Sequence, residues 1–581
     1  MEPVKSKLVG LVRWGWFGLL VLLAFSYLVS GLSGSDEDAQ TPVRTVSSTA
    51  ASSTAASSTG TSSTGTSEQS DQRPLSASSS LDQAVAQIDK VWEETLAAKN
   101  LQAAPLADWM TVSRRASLAL VGNGLSLEEI RELEKLPVNE RESAHIENLL
   151  VDTRFHHYWA ERWARFLVGT DGGQFLLFRR RRFRIWLAEV FQEDWRYDRL
   201  VRQLITAEGL WTDQPAVNFY SATFDSNGGQ PDPVRLAART SRAFLGLRID
   251  CLQCHDDFLG NVSLGDVNSP REGLQTDFHQ LAAFFTGATT GLRGLVNRKP
   301  EYKYKYLDAD EEVDVQPAVP YSPELLPEQG NARRRLARWI TSPENRQAGR
   351  CAVSHVWALM YGRAAGESVD SLPLDEKSDP IIEALTDDFI ENGFNLRRLV
   401  RLIVRSKAFR VESRADFAIT TDHEDAAAVF PLVRLRPEQM AGTIIQSGRI
   451  KATDRDSSFF LQLQRFGGIN DFVKRYGDIG EDEFSKDSAT ITQRLVMLNG
   501  KMLREIVNGN PILNASAHIN MFAKDDAHAV DIVYLSVLNR YPAAEERTHF
   551  INRLGDGNGR AKAIEDLMWV LLNSSELSWN H

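Results

Sequence analysis

The stretch Phe155-His156-His157-Tyr158-Trp159-Ala160-Glu161-Arg162-Trp163-Ala164-Arg165-Phe166 decides the fold class. Its large aromatics, Phe155, Trp159, Trp163 and Phe166, fall at i, i+4, i+8 and i+11, one face of a helix. Glu161 and Arg165 fall on another face, so the aromatics read as core. Working outward, Val353, Val356, Trp357, Met360 and Tyr361 repeat the pattern, as do Leu567, Met568, Leu571 and Leu572. The expectation is a mainly α protein, a large multi-helical body of two packed helical domains.

Between the halves runs Tyr302-Lys303-Tyr304-Lys305-Tyr306, then acidic Asp308-Ala309-Asp310-Glu311-Glu312, then prolines ending at Pro327. The alternation predicts a short strand and the prolines a connector, which divides the body into 81–310 and 311–581.

At the N-terminus, Lys5, Lys7 and Arg13 precede a run without charge from Trp14 to Leu32, and Asp36-Glu37-Asp38 follow it. About 20 apolar helical residues cross a bilayer, and basic residues stay inside. The sequence therefore predicts a cytoplasmic stretch 1–13, a lipid-spanning anchor 14–32 and a body on the exported, periplasmic side. Cleavage as a signal peptide near Ser30 to Gly34 exports the body equally. Residues 33–80 contain the repeat SSTAA-SSTAA-SSTGT-SSTGT, which has no large apolar side chain to offset the entropy of ordering. As a flexible tether from about Gly34 to Ser80 it spans roughly 35–40 Å.

With 43% hydrophobic and 25% charged residues, the chain can bury ample cores. Its formal net charge of −11 argues against nucleic acid as a partner. Only Cys251, Cys254 and Cys351 are cysteines, too few for a disulfide framework.

The motif with chemical content is Cys251-Leu252-Gln253-Cys254-His255. Two thiols at this spacing can form thioethers with the vinyl groups of a haem while the adjacent imidazole ligates the iron, which makes haem c the implied cofactor and His255 the metal ligand. Phe244, Leu245, Leu247, Phe258, Leu259, Phe278, Phe284 and Phe285 supply apolar neighbours suited to a macrocycle or to an ordinary core. His279 is the preferred sixth ligand, with His156, His157, His355 and the methionines behind it. The competing reading makes Cys251 and Cys254 a small redox pair or zinc ligands, although no second Cys-x-x-Cys completes such a site.

The run from Val234 through Phe244-Leu245-Gly246-Leu247-Arg248-Ile249-Asp250 into the cysteine motif, followed by Phe278-His279-Gln280-Leu281-Ala282-Ala283-Phe284-Phe285, resembles an exported planctomycete domain of unknown function, family 1549. Trp109 to Leu120, Tyr158 to Arg165 and Trp186 to Arg202 resemble its earlier parts. Arg335 to Asn345, Val356 to Arg363 and Leu571 to Glu576 resemble the companion family 1553, so the likeness covers nearly everything after residue 81. It implies no particular reaction. Relatives commonly read Cys-His-Asp-His where this chain has Cys254-His255-Asp256-Asp257, a Trp-centred stretch is replaced by 261–268, and a usual Asn-Arg is Ser354-His355.

Two further features carry weaker signals. Arg179 to Arg184, beside Phe178, Phe183, Trp186, Leu187 and Val190, reads as the solvated face of an amphipathic helix, with lipid, acidic glycan or haem propionates as alternative contacts. Cys351 and His355 stand at i and i+4, a spacing open to a metal, whereas a lone cysteine is more often a small core hydrophobe. No P-loop, Gly-x-Ser-x-Gly or His-Glu-x-x-His occurs. The leading expectation is therefore an exported, membrane-anchored c-type-cytochrome-like protein exchanging electrons with a redox partner protein. A haem-free envelope scaffold or carbohydrate-associated binding protein is the alternative, and a metal-dependent enzyme with dispersed ligands a third.

Overall fold

The computed structural model describes residues 80–170, 180–224, 226–258, 260, 262–265, 269–299, 301–374, 379–453, 469, 472–477, 484, 490–508, 514–555 and 559–581. The anchor 14–32 and nearly all of the linker lie outside them. No helix among the described residues is long and apolar enough to cross a membrane.

Thr153–Val168 is a helix, opened by the Asp152 carboxylate accepting from the Arg154 amide and closed at Gly169 with φ +79°. Phe155, Trp159 and Trp163 are buried as their spacing requires, with Phe155 5.0 Å from Trp159 and Trp163 5.5 Å from Tyr197. Burying such rings stabilises by roughly 1.5–3 kcal/mol each. They pack against Arg180–Gln192, whose Phe183, Leu187, Val190 and Phe191 are buried in turn.

The charged face of that first helix is not solvated. Arg162 reaches Glu438 at 2.8 Å, and Glu161 takes Arg180 at 2.9 Å and Arg184 at 3.4 Å. This corrects the reading of the arginine run as a solvated face: Arg181 and Arg182 are exposed, but Arg180 and Arg184 turn inward to a carboxylate. Phe178 and Arg179 lie outside the described residues.

Two apolar cores organise the body. One draws side chains from Ala84 to Phe430, uniting the Thr153–Val168 helix with Arg346–Tyr361 and with Leu396–Arg405. The second gathers Leu435 to Leu577, joined by Met110, Leu118, Leu125, Leu127, Ile130 and Leu133 from early in the chain. Packing thus crosses the connector near residue 310. The stripes through Val353 to Tyr361 and Leu567 to Leu572 are buried in these cores.

The described strands form three two-stranded antiparallel sheets. Lys303–Tyr304 pairs with Val313–Asp314, so the tyrosine-lysine alternation forms a strand, tyrosines half-buried and lysines exposed. Trp579–Asn580 pairs with Val433–Arg434, and Arg115 of the Trp109–Val121 helix donates to the carbonyls of Phe409, Val411 and His581 at 2.8–2.9 Å.

Candidate functional site

The helix Pro233–Thr240 leads to the cysteine motif. Asp232 caps it by accepting from the Val234 and Arg235 amides. It runs on as a wider turn over Ser241–Leu245 and stops at Gly246, φ +61°. A Cβ there would stand 2.8 Å from Leu372 Cδ1 in a left-handed conformation, so the position requires glycine.

The motif itself is a short 3-10 turn, Asp250–Gln253, tethered by Arg242 Nε to Asp250 Oδ2 at 2.8 Å. The Cys254 amide donates to the Cys251 carbonyl at 3.2 Å. With three residues per turn, positions i and i+3 eclipse, so both thiols face the same side. Leu252 points the opposite way and is wholly buried. Cys251 and Cys254 are exposed and not disulfide-bonded. Burial of its sulfur, aided by the Asp257 carboxylate, pushes the Cys251 thiol up. Cys251 is therefore no activated thiolate, which disfavours a nucleophilic or thioredoxin-like role.

His255 is exposed beside them. Its Nδ1 lies 2.6 Å from the Asp256 carbonyl and donates to it, which fixes the ring and leaves Nε2 as the ligating nitrogen. Its ring runs nearly parallel to that of Phe258, centroids 6.0 Å apart.

What holds this turn is a set of polar contacts on the Gln253 carbonyl. It accepts from His279 Nε2 at 3.1 Å, Gln275 Nε2 at 3.1 Å and the Tyr304 hydroxyl at 3.3 Å. Gln275 and His279 sit at i and i+4 on the helix Gln275–Ala283 and so share a face. The Gln275 amide also donates to Asp256 Oδ1 at 2.6 Å, and its Oε1 accepts from the Leu307 amide at 3.1 Å. Gln275 thereby joins the motif to the tyrosine strand, a role that sequence reading missed because nothing local marks it.

His279 is placed beside the motif with both ring nitrogens hydrogen-bonded. Its Nε2 donates to Gln253, and its Nδ1 accepts from the Tyr302 hydroxyl at 2.8 Å. The ring stacks on Tyr304 at 3.5 Å and meets Tyr306 edge-on at 5.8 Å. Burial lowers its pKa, which keeps it neutral and consistent with one donating and one accepting nitrogen. The alternating tyrosines were the signal for this cage, since period 2 turns all of them toward one face.

Of the apolar neighbours expected around a macrocycle, Phe244, Leu245, Leu247, Phe278, Phe284 and Phe285 are all buried in the main core. Phe258 is exposed, and Leu259 lies outside the described residues. Cys251, Cys254 and His255 are the residues that would hold a haem here. The donor set fits the group: two same-side thiols and an oriented imidazole.

Other proposed ligands are elsewhere. His156 is buried with Nε2 3.4 Å from Arg397, and His157 is exposed. His355 stacks on Phe166 at 3.6 Å, while the Cys351 sulfur faces the Arg242 and Ala243 carbonyls at 3.7 and 3.6 Å. Among the described residues no group of three or more His, Cys, Asp and Glu side chains could hold a metal ion, and Cys351 and His355 are both buried core side chains.

Residues 87–290 match the model of a family described as PSCyt2, protein of unknown function (DUF1549), and residues 332–467 match that of PSD1, protein of unknown function (DUF1553). The chain thus carries these two domains in tandem. No curated protein matches it. No solved structure matches it.

Proposed function

We propose that this tandem DUF1549 and DUF1553 chain is an exported, membrane-anchored carrier of one haem c, attached through Cys251 and Cys254 with His255 as an axial iron ligand. The observation that supports it is the turn: exposed, unbridged cysteines three residues apart about a 3-10 turn, beside an imidazole whose Nδ1 is already committed to a backbone carbonyl. The haem would supply one-electron chemistry. The protein's contribution is to hold the sulfurs in register, orient the imidazole through Asp256 and keep the site at the surface, where electrons exchange with a partner. Anchoring rests on the apolar run 14–32 alone.

Pyridine haemochrome spectra of the full chain, produced together with the haem-attachment machinery, test this. We expect one covalent haem per chain, lost in Cys251→Ser with Cys254→Ser. No haemochrome absorbance, with both motif thiols still titratable, overturns it.

One observation favours the second reading, a haem-free envelope scaffold or carbohydrate-associated binding protein: the expected macrocycle neighbours fill an ordinary core. On that reading the double serine variant keeps its partner recovery as well as its fold.

A further inference from the structure

We infer that the face bearing Cys251, Cys254 and His255 is a docking surface for a cationic electron-transfer protein, one that presents an apolar centre inside a ring of lysines. The partner's redox character rests on the haem reading; its charge and shape rest on the surface itself.

Four large apolar side chains are exposed here: Phe258 at 75%, Leu307 at 67%, Val313 at 44% and Leu274 at 41%. Scattered apolar residues are ordinary on a surface, but these are linked to one another through the motif. Phe258 lies against His255, Leu274 precedes Gln275, Leu307 donates its amide to Gln275, and Val313 is the strand partner of Tyr304, whose hydroxyl bonds Gln253. Exposed apolar side chains gathered around one motif are the kind of surface that serves as an interaction site.

The rim is acidic. Glu301, Asp308, Asp310, Glu311, Glu312 and Asp314 are exposed around the tyrosine strand, against only Lys303 and Lys305 on the same stretch. Lys303 stands directly across from Asp314 in the pairing register. Glu272 adds another exposed carboxylate, its neighbour Arg271 is paired with Asp277 at 2.8 Å, and residues 249–264 contain no lysine or arginine. An apolar centre inside a predominantly acidic rim steers an oppositely charged partner and disfavours anionic lipid and nucleic acid. Small contacts of this kind suit transient redox encounters.

The test measures binding of the full-length chain in detergent to two probes: a purified lysine-rich cytochrome c, and the same protein with its lysines succinylated. At low ionic strength the native probe should bind and the succinylated one should not. Asp308→Lys with Asp310→Lys and Glu311→Lys should weaken binding by about tenfold or more. Phe258→Ser with Leu307→Ser should do likewise. A charge-matched control, Glu391→Lys with Asp416→Lys and Glu545→Lys, should change it less than about twofold. Equal losses in patch and control variants would reduce the effect to net charge and overturn the inference, as would a succinylated probe that binds as well as the native one. The full-length chain produced without the haem-attachment machinery should bind within about twofold of the haem-loaded chain, because the apolar and acidic side chains are independent of the cofactor. Absence of haemochrome therefore sinks only the haem reading, and absence of binding by a haem-loaded chain sinks only the docking surface.

Discussion

Two cysteine-histidine pairs in this chain meet opposite fates. Cys254 and His255 sit on an exposed turn beside Cys251, whereas Cys351 and His355, one helical turn apart, are buried in the main core. On the helix Arg346–Tyr361 nearly every side chain is buried, so i and i+4 spacing delivers the pair into apolar surroundings. The 3-10 turn instead buries Leu252 and so turns its neighbours outward. Residue type proposes chemistry, and the element that carries the residues decides whether solvent or a cofactor can reach them.

The sharpest way to break this contrast is thiol labelling of the chain made without haem-attachment machinery. Cys251 and Cys254 should alkylate in the native state. Cys351, which is fully buried with its thiol pushed above its ordinary range by desolvation, should label only through unfolding, about a thousandfold slower or more. Comparable native rates for all three, read by peptide mass spectrometry, would erase the distinction.

Next in size is Leu252→Ala. Removing the one buried anchor beneath the exposed motif should cost about 2–5 kcal/mol in denaturant unfolding. Cys251→Ser with Cys254→Ser, on the exposed side of the same turn, should cost under about 0.5 kcal/mol per site. A reversed order would mean that the thiols, not Leu252, hold the turn.

Much of this was legible. The aromatic stripe at 155–166 found its helix because period 3.6 survives any tertiary context, and the tyrosine alternation found its strand. The Cys-x-x-Cys-His spacing located the turn. The clamp was not legible: no local pattern marks Gln275, and only the folded chain sets it between Asp256, Gln253 and Leu307. Nor could the sequence place Phe278 or Phe284 in the core instead of around a macrocycle, since both uses demand the same apolar side chains. The inward turn of Arg180 and Arg184 was hidden because their partner Glu161 lies on a different helix.

The interior pair carries a pH signature. Burial pushes His355 down to about 3, and neither of its ring nitrogens has a hydrogen-bond partner among the described residues. Buried His145 is likewise lowered to about 4. Between the ordinary histidine value and these depressed ones the unfolded chain binds more protons than the folded chain. Stability is thus full above about pH 6.5 and falls as pH drops through that window, by up to about 1.4 kcal/mol per pH unit for each such group. His355→Leu should remove one group's share of the slope at little cost at neutral pH, because it replaces an unpaired buried imidazole with an apolar side chain. An unchanged slope in urea melts from pH 7 to 4 would place His355 in solvent.

The smallest expected effect probes the outer pair's support. Tyr302→Phe deletes only the hydroxyl that donates to His279 Nδ1. The buried nitrogen then loses its donor, at about 0.5–1.5 kcal/mol, while the rings around His279 keep their stacking. His279 Nε2 still donates to Gln253, so the turn persists and the motif thiols should label at the parental rate. If His279 is instead a ligand in waiting, releasing Nδ1 frees the ring to reorient, and the haem-loaded variant should show a shifted Soret band relative to the parent. An unshifted band together with the modest stability loss assigns His279 to clamping the turn. A shifted band with no stability loss would make the exposed motif and this buried histidine a single ligand set.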